Sequence, residues 1–589
     1  MARSATSRGT WPLRDFPSVF WLVAAAGVAI AHRWVPSSDW LLVHLVLLGA
    51  LSHAILVWSF YFCEALLRLP AAEHGRRDQS RRISLLLVGT SLVLVGVPTG
   101  IWGLTLAGAA LAMVAVGWHG WTIFRMLRRA LPGRFRATIR YYIAAAISLI
   151  LGASFGATLA RVPDDPWHGR LLLAHSMSNI LGWVGFTVMG TLVTFWPTLL
   201  RTRIDDRADR LARQALPVLA AGLALVITGG LVGQMWLAAA GLAGYLAGVL
   251  WWGRALWQPL RTKPPREFGP ASVGAALPWA VVGLVWVGVL LVRSADWAAI
   301  TARFSPIAGV FAAGMAAQLL IGALSYLIPT VLGGGPAANR AALAWFNKGT
   351  TIRLVLVNAS LLLLLLPVPE WVRGTVSLVG LAALAAFVPL MVLGIRAGLA
   401  ARRTPGHDRS EDSVAPPVQP PEEPTKVWSS GQLVAALSVL SLAVTLGIGV
   451  DPAAAGFTPT AQWPGRSQVQ ATGQVVRVQV SARDMVFTPN RVTVDPGDQV
   501  VIELVNDDPT NVHDLTVGGR ATPRLMPGER AELDLGVISE SVQGWCTIAG
   551  HRQLGMVFDV VVGGQDAAAD GNGTDAGHGQ HGASQHGAG

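Results

Sequence analysis

Residues 545–556 read Trp545-Cys546-Thr547-Ile548-Ala549-Gly550-His551-Arg552-Gln553-Leu554-Gly555-Met556. A thiol, an imidazole and a thioether follow one another here with four residues in each gap. A second imidazole, His513, stands upstream in Asn511-Val512-His513-Asp514-Leu515. One thiolate, two imidazoles and a weak axial thioether suit a copper ion that cycles between one-electron states. The flanking sequence supplies a scaffold. Val475-Val476-Arg477-Val478-Gln479-Val480, Arg491-Val492-Thr493-Val494, Val500-Val501-Ile502-Glu503-Leu504-Val505, Ala531-Glu532-Leu533-Asp534-Leu535 and Met556-Val557-Phe558-Asp559-Val560-Val561-Val562 all read as strands. Turns such as Asp495-Pro496-Gly497-Asp498 and Pro527-Gly528-Glu529 separate them. Short strands with turns about every ten residues predict a β-sandwich over residues 469–563. Three ligands then come from one interstrand loop, and His513 arrives from another strand end, after the turn at 506–509.

The rest of the chain is of a different kind. Of 589 residues, 52% are hydrophobic and 13% charged, against about 25% charged in a soluble domain. Thirteen apolar runs lie near 17–35, 40–66, 83–101, 104–124, 140–160, 171–199, 213–233, 235–256, 272–293, 305–331, 350–367, 374–396 and 431–449. Each is about long enough to cross a bilayer as a helix. The net charge of +11 sits in the short loops between them, so it reads as a topology signal and not as a nucleic-acid surface. Arg3, Arg8 and Arg14 precede the first run, and Arg76, Arg77, Arg81 and Arg82 follow the second. Arg125, Arg128 and Arg129 follow the fourth, and Arg201, Arg203 and Arg207 the sixth. Lys and Arg mark the cytoplasmic face. The N-terminus is therefore expected inside, and the β-domain outside after an odd number of crossings. Ala29-Ile30-Ala31 is similar to a signal-peptidase site; cleavage there would leave every later span in place.

These patterns divide the chain into a twelve-span membrane domain (1–396), a Pro-rich cytoplasmic linker (397–428) and a thirteenth span (429–450). An external spacer (451–468), the β-domain (469–563) and a Gly- and His-rich tail expected to be disordered (564–589) complete it. The two cysteines are Cys63 and Cys546, which leaves no disulfide framework.

Phe487-Thr488-Pro489, Asp495-Pro496-Gly497-Asp498, Asn511-Val512-His513 and the Cys546–Met556 loop occur in the order found in cupredoxins, which residues 484–562 resemble. The resemblance implies an extracytoplasmic all-β Greek-key sandwich. It would hold one type-1 copper through His513, Cys546, His551 and Met556. The ligand spacing is similar to the type-1 site of multicopper oxidases. In those, histidines flank the cysteine and feed a trinuclear cluster; here Trp545 and Thr547 stand instead. Copper nitrite reductases need a second such domain, and this chain has one.

Histidines within apolar spans require a reason. His44 in the second run and His175 in the sixth each lie about four residues, roughly 6 Å, from the external boundary. The pair is the candidate for a haem iron or a second metal. The alternative is a hydrogen-bonded core histidine, with Asn179 one turn beyond His175 as its partner. His175, Asn179 and Gly182, with Gly190 and Pro197, resemble membrane proteins of the NnrS type and, more distantly, the haem–copper oxidase large subunit. This chain has no histidine between 176 and 406, so a dioxygen-reducing site of that kind is not expected. Gly190…Trp196-Pro197-Thr198 and Gly322…Ile328-Pro329-Thr330 suggest an internal duplication four helices apart, or equally two helices that end alike with proline at the cytoplasmic side.

Three functions fit. One is a membrane-anchored carrier of single electrons, working with a respiratory partner such as a cytochrome or another copper protein. The second is a membrane oxidoreductase, linked to nitrogen oxides or quinol, that uses the copper as a relay. The third is a copper-handling protein; it predicts Met or Cys pairs along the spans, which are absent from the sequence.

Overall fold

The computed structural model describes residues 16–68, 73–131, 133, 135–162, 164–403, 429–450, 470–548 and 551–563. The expected tail, spacer and most of the linker lie outside these residues. The chain divides into two compact units, the first Met1–Pro367 with Thr375–Ala443 and the second Val368–Gly374 with Val444–Gly589.

The first unit is a helical bundle. Among the described residues, 10 helices are long and apolar enough to cross a membrane. They are Ser38–Leu66, Trp102–Arg129, Arg136–Leu159, Trp167–Leu200, Ala208–Leu231, Met235–Thr262, Phe268–Arg293, Ser305–Leu332, Glu370–Arg402 and Ser430–Val450. The last of these runs past the 443/444 break, so its end belongs to the second unit. The chain is a multi-pass membrane protein. The other three expected runs also fall on helices. Phe16–Ile30 and Thr350–Leu364 have 15 residues each, and Glu73–Gly96 opens with a charged stretch. Helix continues to Arg403, beyond the expected boundary at 396, because Ala400-Ala401-Arg402-Arg403 favours helix and ends it on cations. Two helices were not foreseen, Trp297–Arg303 and Gly335–Phe346. The first starts on Asp296, whose carboxylate accepts the Ala299 N–H at 2.8 Å, a standard N-cap.

Ser38–Leu66, Trp167–Leu200 and Ser305–Leu332 are the most buried of the 10. Each contains a π-helical segment: Leu45–Leu51, Ser178–Phe186 and Val310–Ala317. An i→i+5 pattern leaves carbonyls misaligned, and buried carbonyls need donors. Side chains supply them. Ser52 donates to Leu47 O at 2.8 Å, Tyr245 to Leu181 O at 2.8 Å, and Gln318 to Gly314 O at 2.8 Å. Trp183 Nε1 also donates to Ser52 Oγ at 2.9 Å, tying two of these helices together.

The second unit contains nine strands in two sheets. They are β1 (Val475–Arg483), β2 (Val486–Thr488), β3 (Arg491–Val494), β4 (Gln499–Asn506), β5 (Thr516–Val517), β6 (Arg520–Ala521), β7 (Arg530–Val537), β8 (Val542–Trp545) and β9 (Val557–Val562). One sheet has the order β2-β1-β4-β7 and the other β3-β9-β8-β5-β6. β1 runs parallel to β4 and β3 parallel to β9, while the remaining pairs are antiparallel. Val480, Phe487, Ile502, Leu535, Phe558 and Val560 belong to a single core. Phe487 and Phe558 meet edge to face at 6.5 Å.

Candidate metal centre

Cys546 follows directly on β8, and Met556 directly precedes β9. These neighbouring strands hold the two ends of the loop in register, with Trp545 opposite Val557. The Cys546 N–H donates to Met556 O at 3.2 Å, and the Met556 N–H to His551 O at 3.0 Å. His551 opens a single 3-10 turn, Arg552–Leu554, which Gly555 ends at φ +97°. Only glycine adopts that conformation without strain. His513 comes from a separate segment, pinned by a two-way backbone pair with Leu525 (3.2 and 2.8 Å).

The loop and this segment bring three ligand atoms together. One nitrogen each from His513 and His551 and the Cys546 sulfur all lie within 4.8 Å of one another. Cys546 Sγ is 3.4 Å from His551 Nδ1. A metal with bonds of about 2.3 Å to sulfur and about 2.0 Å to nitrogen separates these two atoms by about 3.5 Å. All four predicted ligands are buried: Cys546 is 1% exposed, His513 and Met556 not at all, and His551 8%. His551 is therefore the ligand nearest solvent.

The surroundings prepare His513 as a ligand. Its Nε2 is 3.3 Å from Asp508 Oδ2, which fixes Nε2–H as the donor and leaves the lone pair on Nδ1. That Nδ1 is buried and has no hydrogen-bond partner. A buried imidazole nitrogen without a partner, facing a thiol and a second imidazole, fits a metal-ligand role. Asp508 also accepts the N–H groups of Thr510 (3.0 Å) and Asn511 (2.8 Å). The Thr510 amide, then those of Asn511 and the His513 ring, hold its carboxyl well below the usual range against the opposing effect of burial.

Asp514 joins the two ligand segments. Its carboxylate accepts the Thr547 N–H at 2.6 Å and the Thr547 hydroxyl at 2.5 Å. The amides of Asp514 and Ile548 are directed at the Cys546 sulfur. The sequence reading missed Asp508, Asp514 and Thr547. An Asx-turn signal was visible in Asn506-Asp507-Asp508-Pro509, but it does not say which aspartate turns inward. Asp507 faces outward and accepts from Ser481 at 2.5 Å.

Asp508→Ala leaves the amides of Asp484, Thr510 and Asn511 and the His513 ring without their acceptor. It is expected to destabilise the apo domain by about 2 kcal/mol and to weaken metal binding about 10- to 100-fold; denaturant titration and metal competition on the full-length protein measure both. Because the folded-state pKa of Asp508 is depressed, its contribution is complete above the ordinary value of 3.8. It is lost as pH falls through the lower folded value.

In the bundle, the expected pair His44 and His175 does meet. The ring centres are 6.1 Å apart and the planes 21° from parallel. His44 Nδ1 is 2.8 Å from Trp40 O, and His175 Nδ1 is 2.8 Å from Gly152 O. Asn179 is a weaker neighbour of the His175 ring, at 3.4 Å, and donates instead to His175 O at 2.8 Å. The His175 ring fits because residue 156 is glycine; a Cβ there would lie 2.6 Å from its Cε1 and Nδ1.

The fold and site define a membrane protein with a helical bundle and a two-sheet β-domain that carries a candidate copper-type centre. No family model matches the chain, and no curated protein matches it. Among solved structures, dithionite-reduced auracyanin from the photosynthetic bacterium Roseiflexus castenholzii matches at 14% identity. The match covers 15% of this chain and 98% of that one, with a TM-score of 0.14. A heme-copper terminal oxidase dimer solved by cryo-EM matches at 12% identity, covering 75% of this chain and 92% of that one, with a TM-score of 0.48. The chemistry that follows rests on this chain's own residues.

Proposed function

We propose that this chain is a membrane-anchored carrier of single electrons. In this reading residues 469–563 form an extracytoplasmic cupredoxin domain. Its type-1 copper is held by His513, Cys546, His551 and Met556. The observation that carries the reading is the buried thiol with two imidazole nitrogens inside 4.8 Å. When bound there, copper supplies a centre that takes up and gives back one electron. The chain's residues hold the ligands in one arrangement through Asp508 and Asp514, and they leave His551 as the least buried contact. A respiratory protein, such as a cytochrome or another copper protein, is the proposed partner. The test is the absorption and EPR spectrum of full-length protein loaded with copper. An intense visible thiolate-to-copper band with narrow parallel hyperfine splitting is expected; a colourless cupric protein would overturn the reading.

The geometry of His44 and His175 favours a second reading, in which the bundle holds a haem or a second metal and the chain is an oxidoreductase. Each Nδ1–H is given to a carbonyl, which leaves both Nε2 lone pairs for a metal. His44 and His175 would be the residues to hold the metal, which would supply a redox centre within the bundle. The double variant His44→Ala/His175→Ala is expected to lose one metal equivalent or the Soret band while the blue band stays. One copper per native chain and no Soret band would remove this reading and leave the first intact.

A further inference from the structure

The helix Glu73–Gly96 begins with the charged stretch Arg76-Arg77-Asp78-Gln79-Ser80-Arg81-Arg82, and its apolar run starts at Ile83. Arg82 does not reach solvent: its side chain is 0% exposed. Its guanidinium carbon lies 5.1 Å from the Phe60 ring centre and 5.8 Å from that of Trp118. None of its three nitrogens has a hydrogen-bond partner. Asp78, one turn back on the same helix, acts on Arg82 through space without a hydrogen bond and pairs with the exposed Arg81 at 3.4 Å. Two aromatic rings offset only part of the desolvation of a buried cation. The penalty for burying an ion exceeds what two rings return. The other buried arginine of the bundle differs, since Arg353 gives Nη1 to Phe346 O at 3.1 Å and lies 3.5 Å from the Phe268 ring centre.

Neighbouring groups are also incomplete, and in the opposite sense. Ser59 donates its hydroxyl to Ile55 O at 2.6 Å, so its contact with His119 Nε2 at 2.8 Å must be donated by the ring. His119 Nδ1 then carries a lone pair, is buried and has no partner. Gln79 donates Nε2 to Leu56 O at 2.7 Å, while its Oε1 is buried and unpartnered. Donors without acceptors on Arg82 thus lie beside acceptors without donors on Gln79 and His119.

We propose that Arg82 binds a compact monovalent anion, a halide or a small planar oxyanion, at the junction of Ser38–Leu66, Glu73–Gly96 and Trp102–Arg129. The anion accepts from the guanidinium and balances its charge. Water accompanying it donates to His119 Nδ1 and Gln79 Oε1, which closes the hydrogen-bond count. The site is independent of the copper centre.

The experiment is thermal unfolding of the full-length protein in lipid nanodiscs. Chloride is replaced stepwise by gluconate, a bulky and strongly hydrated anion, at constant ionic strength. Native protein should lose about 2 °C or more in gluconate and recover saturably with chloride or nitrate. Arg82→Met should unfold at one temperature in all three salts, because an apolar side chain of similar length needs no counter-ion. Arg82→Gln serves as a second variant if the methionine form folds poorly. As a separate readout, ³⁵Cl NMR of the native protein should show excess line broadening that nitrate competes away and that the Arg82 variant lacks. A native melting temperature blind to anion identity, or an anion response retained in both variants, would overturn the proposal.

Discussion

Exchange of Cys546 for serine is expected to erase the visible absorption of the copper-loaded protein altogether. The colour of such a centre comes from the bond between a soft thiolate and the cupric ion, and a serine hydroxyl neither ionises at neutral pH nor supplies a soft donor. The site makes the loss specific. The sulfur lies 3.4 Å from His551 Nδ1 and shares one buried cluster of ligand atoms with His513. Removing a group that merely orients a metal ligand costs about 10- to 100-fold in affinity. Loss of the thiolate should exceed that range. The fold should survive, since sulfur-to-oxygen is a small change in volume; one hydroxyl in the core costs about 1–2 kcal/mol. Absorption, EPR and metal content of the full-length variant check each part. Cys63→Ser is the control, because that buried thiol belongs to the helical unit and its loss should leave the band unchanged. Met556→Leu should keep the colour and raise the potential, because a weak donor to the cupric state is gone.

Much of this was legible because chemistry and periodicity coincide in the sequence. All four ligands stand in or beside the strand pattern, and the five expected strands correspond to β1, β3, β4, β7 and β9. The strands that escaped notice, β2, β5, β6 and β8, have two to four residues each. Segments so short carry no detectable alternation, and their pairing partners decide them. β8 matters most of these, because it aims Cys546. Its sequence Val542-Gln543-Gly544-Trp545 reads like a loop until β9 is placed beside it.

The bundle was legible in outline only. Apolar runs locate helices but do not reveal π-helical segments, because one extra residue per turn leaves an all-apolar run looking the same. Yet these segments mark the innermost helices and explain why Ser52, Tyr245 and Gln318 are where they are. Ser38–Leu66, Trp167–Leu200 and Ser305–Leu332 share this feature. Arg82 was read as one of several loop cations, and only packing against Phe60 and Trp118 sets it apart.

Copper uptake is expected to strengthen tenfold for each unit of pH above neutrality, about a hundredfold from pH 7 to pH 9. Burial pushes the Cys546 thiol up to about 12 from its ordinary 9.0. The Asp514 carboxylate adds to the rise, and the amides of Asp514 and Ile548 oppose it. Burial, and then the neighbouring His513 ring, lowers His551 from its ordinary 6.5. At neutral pH the apo site therefore holds a proton on sulfur, while burial disfavours one on His551, so release of about one proton per copper is expected. Competition with a chelator of known affinity at several pH values should give a slope of one, matched by one proton released into weak buffer. The same shift sets the stability of the apo form. A thiol whose folded pKa is raised contributes stability that is complete below 9.0 and is lost as pH climbs toward 12. Apo protein should accordingly weaken above pH 9, while the copper form, whose sulfur is already a thiolate, should not. Cys546→Ser should abolish the alkaline loss. A slope near zero would mean that the apo site already stabilises a thiolate, with the two amides outweighing burial; a slope near two would mean that His551 is protonated at rest.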